Sequence, residues 1–188
     1  IRRSSFEWPR LGSGMPDFRG IDSGGEVMEQ NKSIERSIKI FAADRRLTMP
    51  LAGLWQGARV GGERCARADL FLASLSEELL TDCCFVERAD HGGWELRRIG
   101  PTIGRCSGVS CETTKIDDLP AGSLLAAAVR DLDIVYGSQV PILDEGETQD
   151  RNGRRALFRS ILLPLADASG RIIKFVAGAR CRVCIHDA

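Results

Sequence analysis

The sequence has no surplus of charge and no long apolar segment. It carries 26 Lys and Arg against 26 Asp and Glu, so no net field attracts nucleic acid or an anionic membrane. No apolar run approaches the roughly 20 residues that a membrane-spanning helix needs. The basic N-terminus lacks the apolar stretch of a signal peptide, although a chain that starts at Ile1 leaves an earlier leader open. We expect a cytoplasmic protein that neither binds nucleic acid nor inserts into a membrane.

Histidine is scarce as well, with only two residues in the chain, His91 and His186. His91 falls in a predicted hairpin turn, and His186 lies almost at the C-terminus. Catalysis of the Ser-His-Asp type needs a histidine beside a nucleophile and oriented by a carboxylate. Nothing in the sequence suggests that arrangement. We therefore expect a protein that is not an enzyme and has no catalytic residues.

The seven cysteines are spread over the whole chain and form no disulfide pattern. An odd count without an export signal indicates reduced thiols. Cys181 and Cys184 have the spacing of a CxxC motif, but residues three apart on a strand point to opposite faces and cannot chelate one ion. The neighbours Cys83 and Cys84 diverge for the same reason. We expect no metal site, and the sequence identifies no cofactor.

The C-terminal third has the clearest pattern, which is typical of a long β-hairpin. Arg154–Leu165 and Arg171–Ile185 are strand-like runs, and Asp167–Gly170 supplies turn residues between them. A period of two in the second run indicates a strand with one covered face. The residues predicted to share that face are Ile173, Phe175, Ala177, Ala179, Cys181, Val183 and Ile185. The pattern predicts an antiparallel sheet whose apolar face is covered by helices.

The middle of the chain predicts a mixture of helices and strands. Cys83–Ala89 and Trp94–Ile99 form a first hairpin, and apolar residues recur at helical spacing over Pro120–Tyr136, where Gly137 ends the helix. Short helices are predicted at Leu51–Arg59, after an interruption at Pro50 and Gly53, and at Ala73–Leu80. Gly100, Pro101, Gly104 and Gly108 interrupt an irregular stretch that ends at Asp117–Asp118. A short strand is predicted at Gln139–Leu143, followed by a connection at Asp144–Glu147. This order predicts an α+β fold with a five-stranded antiparallel sheet and helices on one face.

The N-terminal residues predict two further segments. Residues 1–26 are rich in Gly, Ser, Arg and Pro and are interpreted as a flexible arm. Val27–Leu47 is predicted to be a flanking helix, so that the domains are 1–26, 27–48 and 49–188. The narrow apolar stripe of this helix suits either packing across a sheet or pairing with the same helix of a second subunit. The residues of this stripe, and the candidates for a dimer interface, are Val27, Ile34, Ile38 and Phe41.

Five blocks of the sequence, each an apolar strand or helix, are informative when they are taken together. They are Leu54–Arg59 (LWQGAR), Trp94–Gly100 (WELRRIG), Asp118–Leu125 (DLPAGSLL), Phe158–Leu165 (FRSILLPL) and Gly170–Ile172 (GRI). In combination these blocks resemble PAS domains, the small sensory and interaction modules of bacterial signalling proteins. They are similar above all to a short PAS-like family of alphaproteobacterial proteins, and the resemblance runs from about Leu51 to Cys181.

The resemblance implies a cavity between the sheet and the helix Pro120–Tyr136, an N-terminal helix that often dimerises, and sensing or scaffolding instead of catalysis. The family has no universal ligand. The flavin-photosensor motif Asn-Cys-Arg-Phe-Leu-Gln is absent around Cys106 and Cys111, and Ser123–Tyr136 has no histidine that could hold haem. Geometry alone gives the candidate pocket residues, which are Trp94, Leu96, Leu125, Val129, Leu132, Phe158, Ile173 and Phe175; plain core packing is the alternative for all of them.

Three functional hypotheses follow from the sequence. The leading one is a homodimeric sensory module that couples a small ligand or a signalling-protein partner to an output. The second is a protein–protein scaffold whose core is filled by its own side chains. The third is a cyclic-dinucleotide receptor that uses Arg154, Arg155 and Arg159. Asp167–Gly170 is similar to part of the PilZ signature, but Ile172 stands where that signature requires glycine.

Overall fold

The computed structural model describes residues 47–61, 63–90, 92–109 and 114–183. All of them belong to one unit, Arg45–Ala188. The predicted arm, the stripe of Val27, Ile34, Ile38 and Phe41, and both histidines lie outside the described residues. Within the described part of the chain, no helix is both long and apolar enough to cross a membrane.

Within the residues that the structure describes, seven strands form a single sheet. They are β1 (Ala66–Arg67), β2 (Cys83–Arg88), β3 (Trp94–Ile99), β4 (Thr114–Lys115), β5 (Ile142–Gln149), β6 (Arg155–Ala166) and β7 (Ile172–Val183). The spatial order is β1-β6-β7-β2-β3-β4, and β5 pairs with β6 as well. The five longer strands are antiparallel throughout, whereas the two-residue β1 pairs with β6 in parallel. The predicted α+β class and the five-stranded antiparallel sheet are confirmed.

Both predicted hairpins are present. β2 pairs with β3, and β6 pairs with β7 over almost their whole lengths. The turn of the second hairpin is closed by Asp167, whose Oδ1 accepts hydrogen bonds from the backbone N–H groups of Ser169 and Arg171 at 2.9 and 3.1 Å. An aspartate that satisfies the backbone of its own turn is the chemistry that the sequence predicted here.

Six α-helices and one 3-10 turn complete the described structure. They are α1 (described over residues 47–57), α2 (Ala68–Ser74), α3 (Glu77–Leu80), α4 (Pro101–Ser107), the 3-10 turn Ile116–Asp118, α5 (Leu124–Val129) and α6 (Leu132–Ser138).

Helix α1 runs through Pro50 and Gly53, where an interruption was predicted. Leu47, Leu51 and Trp55 follow each other at a spacing of four, and all three are at most 4% exposed. Because this stripe packs on the sheet, its burial outweighs the low helix propensity of proline and glycine.

The predicted helix Ala73–Leu80 is wrong, because the chain breaks between α2 and α3. Ser76 lies at the break, and its side chain accepts a hydrogen bond from the Leu79 backbone N–H at 3.3 Å. A serine in this position starts a helix instead of continuing one.

The stretch that was predicted to be irregular contains α4. Gly100 precedes the helix, Pro101 occupies its first turn, and Gly108 ends it in the left-handed conformation with φ of 68°. Proline at the start and glycine just past the end are ordinary helix boundaries. The residues that were interpreted as breakers are therefore the caps of a short helix.

The single helix predicted over Pro120–Tyr136 is two helices. Ser123 caps α5 by accepting a hydrogen bond from the Ala126 backbone N–H at 3.3 Å, so α5 begins after Pro120. Arg130 and Asp131 separate α5 from α6. Helix α6 continues past Gly137 to Ser138, and Gln139 caps it with a left-handed φ of 59°.

Strand β5 is longer than predicted and includes Asp144–Glu147, which was expected to be a connection. Glu145 lies opposite Arg159 on β6, and Glu147 lies next to Arg155 across the same pair of strands. These ion pairs across the strands stabilise a segment whose composition alone suggests a turn.

The sheet carries an apolar core on each face. The α5-side core contains Cys84, Val86, Leu96, Leu124, Leu125, Val129, Phe158, Phe175 and Ala177 among others. The α1-side core contains Leu47, Leu51, Trp55, Phe71, Cys83, Phe85, Ile161, Leu163 and Val176 among others. Helices α4, α5 and α6 cover the face on which helices were predicted, and the structure adds that α1 and α2 cover the other.

Candidate functional site

Seven of the eight candidate pocket residues lie together in the α5-side core. The face of the sheet contributes Leu96, Phe158 and Phe175, with Trp94 packed against them from the edge. Helices α5 and α6 contribute Leu125, Val129 and Leu132. The geometry therefore brings together residues that are separated by up to about eighty positions in the sequence, between the sheet and the helices where the PAS resemblance implies a cavity.

Ile173 is the exception, because it packs against the α1-side core. The register of β6 and β7 shifts between Leu165, which lies opposite Lys174, and Ala166, which lies opposite Ile172. A bulge of this kind inserts one residue into a strand and reverses the alternation beyond it. Ile172 therefore faces the α5-side core, and Ile173 faces away from it.

The α5-side site is strongly buried. Leu96, Leu125 and Phe175 are fully buried, and Val129 is 2% exposed. Trp94 is only partly buried and lies at the rim of the site. Side chains of this burial stabilise the fold as well as lining the site, so a ligand that enters must displace part of their mutual packing.

A groove that the sequence did not indicate lies beside the end of β5. It has a volume of about 580 Å³, and a second depression of about 340 Å³ shares part of its wall. The Thr148 hydroxyl donates a hydrogen bond to the Gly122 carbonyl at 2.6 Å, and the Gln149 N–H donates to the same oxygen at 3.0 Å. The groove is open to solvent, and its lining is both polar and apolar. It was missed because its wall depends on β5 extending as far as Gln149.

The three arginines of the cyclic-dinucleotide hypothesis all have carboxylate partners. Arg154 pairs with Asp150 at 2.7 Å, Arg159 pairs with Glu145 at 2.5 Å, and Arg155 pairs with Glu147. These pairs hold the β5–β6 hairpin together. A phosphate group would have to replace a carboxylate at each arginine, so the geometry does not favour this hypothesis.

The buried thiols are poor nucleophiles. Burial raises the pKa of the Cys65 thiol to about 11 and that of Cys83 to about 12, and it raises the pKa of Cys84 further. Cys83 belongs to the α1-side core and Cys84 to the α5-side core, so their side chains diverge as predicted. Cys181 lies on β7, and Cys184 lies outside the described residues. Among the described residues, no group of three or more His, Cys, Asp and Glu side chains could hold a metal ion.

The chain matches the family model of the PAS domain over residues 44–179. Solved structures of low identity are similar to it. The light-state structure of the aureochrome1 LOV domain, a blue-light photoreceptor, is 13% identical, with 61% of this chain and 91% of that chain covered and a TM-score of 0.39. A fungal LOV-domain photoreceptor is 15% identical, with 57% and 80% covered and a TM-score of 0.37. The PAS domain of Bordetella pertussis BvgS is 12% identical, with 55% and 76% covered and a TM-score of 0.31.

No curated protein matches the chain significantly. The family model is therefore decisive, because it covers well over half of the chain and includes every described strand but the end of β7. The chain belongs to the PAS domain family, whose members are typically sensory and non-catalytic modules and commonly mediate dimerisation.

Proposed function

We propose that this chain is a cytoplasmic sensory module in which a small ligand or a partner, bound on the α5 side of the sheet, changes the packing of the helices on the α1 side. The site consists of Trp94, Leu96, Leu125, Val129, Leu132, Phe158 and Phe175. The output is a change in the geometry of a homodimer that forms through the stripe of Val27, Ile34, Ile38 and Phe41. The module carries out no catalytic step.

Strand β7 carries the proposal, because its side chains face the two cores alternately. Phe175 and Ala177 belong to the α5-side core, whereas Val176 belongs to the α1-side core. The strand is central, with β6 on one side and β2 on the other. A displacement of β7 caused by a ligand on one face therefore changes the surface on which the other face packs.

Helix α1 is held closely against that second face. The Trp55 indole N–H donates a hydrogen bond to the carbonyl of Pro164 on β6 at 2.7 Å. The Leu51 side chain lies over Gly178 of β7, where a side chain would collide with it. Because α1 contacts both β6 and β7, a shift between these strands alters its position. Couplings of about 1–3 kcal/mol between two sites are typical of such systems.

The strong burial of the α5-side core favours the scaffold as the second candidate function. Leu96, Leu125 and Phe175 are fully buried by their neighbours, as in a core that is filled by its own side chains. Native mass spectrometry of the purified full chain separates the two. A retained small molecule supports the sensor, and a clean apo mass supports the scaffold.

Two variants identify the site of a retained molecule. Val129→Phe adds volume inside the α5-side core, so we expect the extra mass to disappear. Ile134→Phe adds similar volume on α6 at a position that is 46% exposed, and it should leave the extra mass in place. A melting curve of each variant shows that it is folded. Retention of the molecule in a folded Val129→Phe variant would show that it binds outside the α5-side core.

A further inference from the structure

Three aromatic rings meet at the rim of the α5-side core, where β3 begins and α6 ends. The Trp94 ring packs edge to face on Phe175, with centroids 4.8 Å apart. The Tyr136 ring packs on Trp94 with centroids 5.7 Å apart and an angle of 65° between the ring planes. Phe175 is fully buried, whereas Tyr136 is 42% exposed. The rings of Trp94 and Tyr136 therefore form two walls of a site that is open to solvent.

A cation already occupies this site. The guanidinium carbon of Arg88 lies 4.3 Å from the centroid of the Trp94 ring and 5.4 Å from that of the Tyr136 ring. Both distances fall within the range of about 6 Å over which a ring attracts a cation. Arg88 and Trp94 are partners across the β2–β3 pair, so the backbone itself places the cation beside the ring.

The rings hold this cation without a counter-charge. Within the described part of the chain, no carboxylate forms an ion pair with Arg88, in contrast to Arg154, Arg155 and Arg159 on the β5–β6 hairpin. Arg88 is also exposed, so that its side chain can leave the rings without breaking other structure. What holds the guanidinium is the attraction of the two rings, and that attraction does not depend on arginine.

We propose that Trp94 and Tyr136 form an aromatic cage for a quaternary ammonium group, and that Arg88 occupies the cage when no such ligand is bound. A trimethylammonium group carries the weakly hydrated positive charge that suits an aromatic face, and it donates no hydrogen bonds that the cage would have to accept. The source of the group is either a small molecule such as choline or a trimethylated lysine on a partner protein.

The cage shares Trp94 with the proposed sensor site but does not depend on it. It needs the ring faces at the rim, and the buried side chains between α5 and the sheet keep their packing when it fills. A failure of the sensor proposal, seen as a clean apo mass, therefore leaves the cage standing. A failure of the cage leaves the sensor proposal standing.

Arg88 is a competitor in this arrangement. A site that is open for only part of the time binds its ligand more weakly in proportion to that fraction. Removing the arginine charge opens the cage permanently. We expect Arg88→Gln to bind choline about fivefold more tightly than the wild-type chain, which corresponds to a cation–π contact of ordinary strength.

The indole N–H signal of Trp94 in heteronuclear NMR spectra of the full chain reports binding directly. The signal is assigned by its loss in Trp94→Phe. Choline, trimethyllysine and the neutral carbon isostere of choline are titrated in turn. The Trp55 indole, which is hydrogen-bonded to Pro164 on the other face of the sheet, is the internal control and should stay in place. We expect the two cations to shift the Trp94 signal in a saturable way and the neutral isostere to leave it unchanged.

Two variants of Tyr136 test the second wall. Tyr136→Leu removes a ring face and should weaken choline binding about fivefold, whereas Tyr136→Phe keeps the face and should bind as the wild type does. Tighter binding of choline or of trimethyllysine identifies the source of the group. Equal binding of the neutral isostere would overturn the cage, because an apolar pocket does not need a charge. An Arg88→Gln variant that binds choline no more tightly than the wild type would overturn it as well.

Discussion

Leu51 of α1 lies directly over Gly178 of β7, and the absence of a side chain at Gly178 makes this contact possible. A Cβ atom at Gly178 would overlap the Leu51 Cδ1 atom, and it would lie 3.6 Å from both Cys83 Sγ and Ile161 Cγ2. Leu51 itself is fully buried. The closest approach of the first helix to the sheet is therefore set by one glycine in the central strand.

Gly178→Ala should push Leu51 away from the sheet. Overpacking of a buried site costs about 1–3 kcal/mol, and we expect a loss of unfolding free energy in that range. Leu51→Ala alone leaves a cavity and should cost about 2–5 kcal/mol. In the double variant the new methyl group occupies part of that cavity. The double variant should therefore lose about 1 kcal/mol less unfolding free energy than the sum of the two single variants, as measured by urea unfolding.

Gly57→Ala is the matched control for this cycle. Gly57 lies in the same helix, and nothing lies within 4 Å of the position that a Cβ atom would take. Alanine is favoured over glycine in a helix by about 0.5–1 kcal/mol, so this variant should be at least as stable as the wild type. Strict additivity in the Leu51–Gly178 cycle would show that the two residues do not constrain each other.

The ionised carboxylate of Asp144 should lower the free energy of unfolding at neutral pH, and this loss should disappear as the pH falls. Burial raises the pKa of its carboxyl, and the Arg130 guanidinium, 2.6 Å away, offsets this only in part. A folded-state pKa above the unfolded value means that the ionised form is disfavoured in the fold. This cost is complete above the folded pKa and disappears as the pH falls to the unfolded value of about 3.9. Asp144→Asn removes the cost at every pH.

The measurement is the urea midpoint of wild type and Asp144→Asn at several pH values. The stability of the variant relative to wild type should be highest at neutral pH and should decline towards about pH 4. Asp167→Asn is a control of opposite sign, because a hydrogen bond from Ser169 holds the pKa of Asp167 below its usual value. The Asp167→Asn variant should be less stable than wild type, and this difference in stability should be largest at neutral pH and should shrink as the pH falls. A pH-independent difference for Asp144→Asn would contradict the assignment.

The sequence predicted those elements whose signals are local. Strand β7 shows a period of two, β6 is a strand-like run, and the turn residues Asp167–Gly170 lie between them. The hairpin of β2 and β3 likewise consists of two strand-like runs joined by turn residues. These elements predicted most of the candidate site, because alternate residues of a strand point to the same face of the sheet and the residues of a helical stripe share one face of the helix.

The elements that the sequence missed depend on contacts between distant residues. Strand β5 contains carboxylates that suggest a turn, and its partners, Arg155 and Arg159, belong to another strand. The placement of Ile173 depends on a bulge opposite Leu165 and Ala166, which no pattern within β7 marks. The caps of α4 were visible in the sequence, but glycine and proline at a helix boundary are easily taken for an irregular stretch.

The thiols should divide into protected and reactive groups. Cys83 and Cys84 are fully buried, and burial raises the pKa of Cys83 to about 12, so native protein at neutral pH holds almost no thiolate at these positions. Cys106 is only partly buried. Brief treatment with iodoacetamide, followed by peptide mass spectrometry, should therefore label Cys106 well before Cys83 or Cys84. After unfolding in urea all three should react at similar rates. Rapid native labelling of Cys84 would show that the α5-side core opens readily.

The dimer interface is predicted to lie on the stripe of Val27, Ile34, Ile38 and Phe41. Replacing Ile34, Ile38 and Phe41 together by serine removes the apolar surface that pairs the helices, and it should lower the mass in light scattering from dimer to monomer. The matched control replaces Lys32, Glu35 and Arg36, on the opposite side of the predicted helix, by serine and should leave the mass unchanged. Both variants keep the residues of both sheet cores, so their melting temperatures report whether the PAS domain is intact. An unchanged mass in the stripe variant would remove this helix from the interface, and the output of the module would then have to leave through another surface.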